Sequence, residues 1–133
     1  CLIVDFGSGV LYRVRLTDKS VQKVTEGFEG GDGLTWDRHG RLFITSWKSG
    51  KVWGIPRPGQ KPVLLADKFE QAADSCLDPT GRFLLVPDMK AGTLTAIPAV
   101  LAVQLVLLRP CSVDPSRGNA APGSRPGPAP AGG

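Results

Sequence analysis

Short apolar stretches alternate with polar, glycine-bearing breaks along the first three quarters of the chain. In the middle of it four segments read as strands: Gly33–Asp37, Arg41–Trp47, Lys51–Pro56 and Pro62–Ala66. The breaks between them are DRHG (37–40), KSG (48–50) and RPGQ (57–60). Each is turn chemistry, with Gly supplying positive φ and Asp folding back onto its own backbone. Leu42, Phe43 and Ile44 are apolar on consecutive positions, as in a strand covered on both faces.

The pattern recurs. Residues 30–56 align with 71–98 at a shift of 41, which puts Asp37 on Asp78, Gly40 on Gly81 and Arg41 on Arg82. One inserted residue makes the shift 42, so that Gly50 meets Gly92 and Pro56 meets Pro98. Earlier, Leu2–Asp5 matches Phe43–Ser46, Tyr12 matches Trp53 and Phe28 falls on Phe69. Asp88 is aligned with Trp47, facing either solvent or the lower end of a channel. Four strands in a period of about 40–45 residues predict a blade of a β-propeller. Propellers close with 4–8 blades, so a ring at this period needs about 164 residues at the least. Residues 1–98 supply about two and a half four-stranded blades. The expected fold is therefore all-β, a partial propeller that does not close alone.

Composition changes beyond Pro98. Six of the twelve prolines lie in 110–133 and no aromatic residue follows Phe83. This Pro/Gly/Ala-rich tail is expected to be disordered; its composition also fits a frame-shifted or read-through terminus. The intervening 99–109 reads as an outer strand, one period after Pro62–Ala66, as a short apolar helix or as an aggregation-prone edge. The net charge of +4 divides as +2 in 1–98 (13 basic, 11 acidic) and +2 in the tail (3 basic, 1 acidic), with no basic stripe. Nucleic acid is thus not an expected partner. The largely apolar stretch 99–108 is too short to span a bilayer, so no membrane span is expected. The chain opens with Cys1 and without a targeting leader, which reads as a soluble fragment lacking its natural N-terminus. Three cysteines without CxxC spacing argue against a disulfide framework and a structural zinc site.

Most catalytic machinery is missing. The one histidine, His39, sits in a turn, which argues against a Ser/His/Asp or Cys/His triad within this chain. Gly7-Ser8-Gly9 is not a nucleophile elbow, and EGGDG (29–33) lacks the later glycine of a dinucleotide loop. Cys76 is expected as a buried, inert thiol in an inner strand. Trp36, Trp47 and Trp53 are expected to pack between blades, and spread lysines to protect strand edges. Asp32 stands out. It immediately precedes a first strand, between Gly30-Gly31 and Gly33, where the backbone can approach a ligand closely. A carboxylate there can bind a hard divalent cation or take a proton from water, or it can simply cap its own loop.

The string GGDGLTWDRHGRLFITSWKSGKVWGIPRPG (30–59) resembles a blade of the regucalcin and gluconolactonase family, with Asp-Gly followed by Asp-x-x-Gly-x-Leu. The resemblance covers residues 1–98, as the C-terminal part of a six-bladed propeller. It implies a hydrolase acting on sugar lactones and related carboxylic esters, with one divalent cation, Ca2+ or Zn2+, in the channel. It makes Asp32 both a metal ligand and the general base. Asp74, at the corresponding entry of the next repeat but one residue out of register with Asp32, and Trp47, near a strand end, are further candidates for substrate binding. The family's early glutamate and asparagine ligands have no counterpart here, and calcium prefers 6–8 oxygens. The fragment alone is therefore expected to be inactive and to hold no metal, its parent to be the enzyme. The rival reading is a non-catalytic scaffold resembling the NHL-repeat propellers, which binds protein or glycan without metal. A third is a truncated product with no function.

Overall fold

In the computed structural model, the structure describes residues 1–99. The expectations for 100–109 and 110–133 lie outside the described residues. The described chain is all-β, with ten strands in three antiparallel sheets. Sheet 1 has the order β1-β2-β3, formed by Leu2–Val4, Leu11–Val14 and Val21–Thr25. Sheet 2 has the order β4-β5-β6-β7, from Gly31–Trp36, Leu42–Ser46, Lys51–Ile55 and Val63–Ala66. Sheet 3 is β8-β9-β10, from Cys76–Leu77, Phe83–Asp88 and Thr93–Pro98. Every connection inside a sheet joins neighbouring strands, so each sheet is a meander of local pairings.

The turns that separate the strands are built as their sequences imply. In sheet 2 the Asp37 amide donates to the Arg41 carbonyl at 3.0 Å, and its carboxylate accepts the His39 and Arg41 amides at 2.8 Å each. In sheet 3 the same closure runs from the Asp78 amide to the Phe83 carbonyl at 2.9 Å, one residue further on. The extra residue of the third repeat therefore lies in this turn, at Arg82. Leu84 then pairs with Ile97 as Leu42 pairs with Ile55, and Asp88 takes the position of Ser46. The alignment of Asp88 with Trp47 is corrected by one residue; Met89 is the counterpart of Trp47.

The core lies between the sheets, in two layers. Leu42, Ile44 and Ile55 of sheet 2 meet Leu11 and Phe28, with Leu2, Val4 and Trp53 packed around them. The opposite face of sheet 2, with Phe43 and Val52, meets Leu84, Val86 and Ile97 of sheet 3. β5 is buried at every position, Leu42 through Ser46, as the consecutive apolar residues Leu42, Phe43 and Ile44 predict for a strand covered on both sides. Burial of Phe43 alone is worth about 1.5–3 kcal/mol. Trp53 joins this core, its ring edge-on to Phe28 with centroids 6.0 Å apart. Trp36 does not; it is 47% exposed. Cys76 is exposed rather than buried, because it lies opposite Leu85 on the side of sheet 3 that faces away from sheet 2.

Candidate functional site

Three hairpin turns, β1–β2, β5–β6 and β9–β10, share one construction. The amides of Gly9, Gly50 and Gly92 donate to the carbonyls of Asp5, Ser46 and Asp88 at 2.9, 3.0 and 2.9 Å. Left-handed φ values of 68°, 64° and 65° at these glycines make that closure possible. The residue after each of these carbonyl acceptors is apolar: Phe6, Trp47 and Met89. Gly31, at the start of β4, pairs with Ser46 at the end of β5, so Asp32 lies at the same end of sheet 2 as Trp47.

Asp32 belongs to β4, two residues earlier than the sequence pattern places the strand, and it is exposed. The register of β4 against β5 slips between Gly31 and Leu34, which leaves one extra residue on the β4 side. Such a bulge re-aims side chains. The glycines around it are forced by close approach. A Cβ on Gly33 would lie 2.6 Å from Thr45 Oγ1 and 2.7 Å from Asp74 Oδ1, and one on Gly31 would run into Val4. Thr45 is buried, and its Oγ1 accepts the Gly33 amide at 2.9 Å. Gly30 accepts the Trp47 amide at 2.7 Å and donates to the Phe6 carbonyl at 2.8 Å. The Asp32 segment is thus wedged where all three sheets meet.

Asp74 and Trp47 both border this junction. Asp74 is exposed, beside Gly33, and its Oδ1 accepts the Ser75 amide at 2.9 Å. The segment that carries it is anchored by Thr35 Oγ1, which donates to the Ser75 carbonyl at 2.6 Å. Trp47 is half-buried against Phe6, with ring centroids 6.1 Å apart and planes at 46°. All three residues singled out from the sequence therefore sit at one end of the sheets. Phe6 and Met89 were not singled out; the signal for them was a glycine four residues after Asp5, Ser46 and Asp88.

The carboxylates here divide into bound and free. Asp88 is 5% exposed and accepts four amides, from Glu70 at 2.7 Å, Gln71 and Ala91 at 3.1 Å and Lys90 at 3.2 Å. Burial pushes its pKa up, but the amides outweigh burial and hold it below the usual carboxylate value. Asp5 is lowered chiefly by the Ser8 hydroxyl, and then by the Ser8 amide. Both are committed to holding turns. Asp32 accepts no hydrogen bond from protein among the described residues, and Asp74 accepts one.

A divalent cation does not fit these residues by themselves. Among the described residues no group of three or more His, Cys, Asp or Glu is placed to hold a metal. Asp32 and Asp74 offer two carboxylates where calcium takes 6–8 oxygens. His39 is exposed in its turn, its amide held by Asp37 and its Nε2 accepting from Arg38 Nε at 3.3 Å. No family model matches the chain, and no curated protein matches it.

Proposed function

We propose that the three sheets are consecutive blades of a β-propeller of the regucalcin and gluconolactonase type, and that Asp32 is its general base for lactone hydrolysis. The observation that supports this is an exposed carboxylate on a glycine-flanked bulge, held where three successive repeats meet. In this reading the Asp32 carboxylate takes a proton from a water molecule, and the water oxygen bonds to the lactone carbonyl carbon. The tetrahedral adduct collapses with cleavage of the ring C–O bond. The departing oxygen takes up the proton, leaving an open-chain hydroxy acid. Asp74 and Trp47 border the space in which a sugar ring would lie, Asp74 as a hydrogen-bond acceptor and Trp47 as an apolar wall. A family member's Ca2+ or Zn2+ would need ligands beyond Asp32 and Asp74, supplied by other repeats, and no step is assigned to it here. In a chain that carries those repeats, Asp32→Asn lowers sugar-lactone hydrolysis by about 10²–10⁴-fold, the usual share of a general base. The 133-residue chain alone gives no rate above background. Near-normal hydrolysis by the Asn variant overturns the assignment.

A second reading rests on the row of Phe6, Trp47 and Met89, of which Phe6 is 49% and Met89 67% exposed. One apolar side chain per repeat on a shared end suits a non-catalytic scaffold similar to the NHL-repeat propellers. Metal analysis of the repeat-complete protein separates the two. One divalent ion per chain favours the hydrolase, and none favours the scaffold.

A further inference from the structure

The two interfaces inside this chain are made by the same positions of the repeat. Sheet 2 turns Ile44 and Trp53 toward sheet 1, and Phe43 and Val52 toward sheet 3. Because side chains alternate along a strand, the register identifies the faces left over at either end. On sheet 3, Leu84, Val86 and Ile97 face inward, so Leu85 with its partner Ala96, and Leu94 with its partner Pro87, face outward. On sheet 1, Leu2, Val4 and Leu11 face inward, so Ile3 with its partner Tyr12, and Val14 with its partner Val21, face outward. Among the described residues these outward faces are largely apolar, Lys23 beside Tyr12 being the exception, and uncovered: Leu94 is 66%, Val21 63% and Ile3 47% exposed.

They are also complementary. Leu85 and Leu94 of sheet 3 stand where Phe43 and Val52 stand in sheet 2, and those two are fully buried against the following sheet. Ile3 and Tyr12 of sheet 1 stand where Ile44 and Trp53 stand, against the preceding sheet. The open face of sheet 3 is thus one half of a contact that the chain already makes twice, and the open face of sheet 1 is the other half. A patch of this kind on a soluble chain marks an association surface.

We infer that a second copy of this chain covers both faces, sheet 3 of each copy stacking on sheet 1 of the other. The contact is head-to-tail, and such contacts form closed rings when their rotation closes. Two chains bring six sheets, inside the 4–8 blades of known propellers, whereas three would bring nine. The inference rests on the propeller reading of the three sheets but not on the chemistry of Asp32, so that failure of either leaves the other to be judged separately.

The test is the solution mass of the 133-residue chain, by light scattering on a sizing column and by sedimentation equilibrium. The expected species is twice the 14.1 kDa of one chain. A monomer at tens of micromolar, or an open series of larger species, overturns the inference. Leu94→Asp and Val21→Asp alter exposed side chains, and each alone halves the mass while leaving the circular dichroism spectrum unchanged. Mixing the two variants restores a dimer, because each retains the face that the other has lost. A dimer sensitive to Leu94→Asp but not to Val21→Asp, or variants that fail to rescue one another, contradicts the head-to-tail arrangement. The concentration dependence of the unmodified chain decides the matter if either variant fails to fold.

Discussion

Replacing Asp37 by Ala probes the turn chemistry on which the repeat depends. Its side chain is 3% exposed and that of Arg41 is 12% exposed, and the two form an ion pair through Arg41 Nε. The carboxylate also accepts the His39 and Arg41 amides at 2.8 Å. Arg41 reaches on to the Ala99 carbonyl with Nη1 at 3.1 Å, tying the end of sheet 3 to sheet 2, and lies over the Phe43 ring at 5.8 Å. Removing the carboxylate leaves a nearly buried guanidinium and two amides short of an acceptor. Breaking a buried pair costs about 3–5 kcal/mol, and the retained Ala99 carbonyl puts this case near the lower end, at about 3 kcal/mol. With a urea slope of about 1.5 kcal/mol/M, the midpoint drops by about 2 M. Equilibrium unfolding in urea, followed by tryptophan fluorescence, reads the shift directly. Replacing both residues with apolar ones, Asp37→Leu with Arg41→Met, recovers much of the loss, since no charge is then stranded. A midpoint shift under about 0.5 M for Asp37→Ala shows that the pair is solvated, and the argument fails.

Acid lowers stability in a defined window. Asp78 is held down to about 2, first by the Thr80 hydroxyl and then by the Phe83 amide, with the Thr80 and Arg82 amides adding to them against the opposing effect of burial. A depressed carboxylate contributes stability that is complete above its unfolded value of about 3.9 and is lost as pH falls through its folded value. Asp5, Asp18, Asp37 and Asp88 are lowered as well and act in the same direction. Melting temperature is therefore flat from pH 7 to about 5 and falls between about 4 and 2, and Asp78→Asn removes part of that fall; an unchanged acid profile in the variant contradicts the assignment. Trp53 Nε1 is buried without a partner among the described residues. Trp53→Phe removes that orphaned donor at the expense of some packing and changes stability by no more than about 1 kcal/mol, while Phe28→Ala costs about 3–5 kcal/mol in urea unfolding. A loss above about 3 kcal/mol for Trp53→Phe shows that the indole does find a partner.

The strands of the middle repeat were legible because their punctuation is chemical. Asp37, Gly40 and Gly50 fix the turns, and β5, β6 and β7 lie within two residues of the segments bounded by them. What resisted reading was the placement of single residues. The one-residue expansion of the Asp78 turn leaves no local mark, so Asp88 was set opposite Trp47 although it takes the place of Ser46. Asp88 is buried as an acceptor of four amides, which depends on the chain folding back at Glu70 and Gln71, a long-range event. Cys76 and Trp36 were expected inside because their strands look like inner strands, but which face of a strand is covered depends on whether a neighbouring sheet is present. Asp32 was found through its glycines. Their cause, the bulge and the close approach of Val4 and Asp74, is visible only once the three sheets are stacked.

Proximity of Asp32 and Asp74 tests the central claim, convergence of successive repeats at one end of the sheets, most directly. A Cβ on Gly33 would lie 2.9 Å from Asp74 Cα, which with standard backbone lengths places the Cα atoms of Asp32 and Asp74 within about 8 Å. Nitroxide labels on cysteines substituted at 32 and 74, in a background without Cys1, Cys76 and Cys111, report that distance by continuous-wave electron paramagnetic resonance. Strong dipolar broadening, absent from each singly labelled chain, is the result expected. Spectra that equal the sum of the two single labels contradict the account.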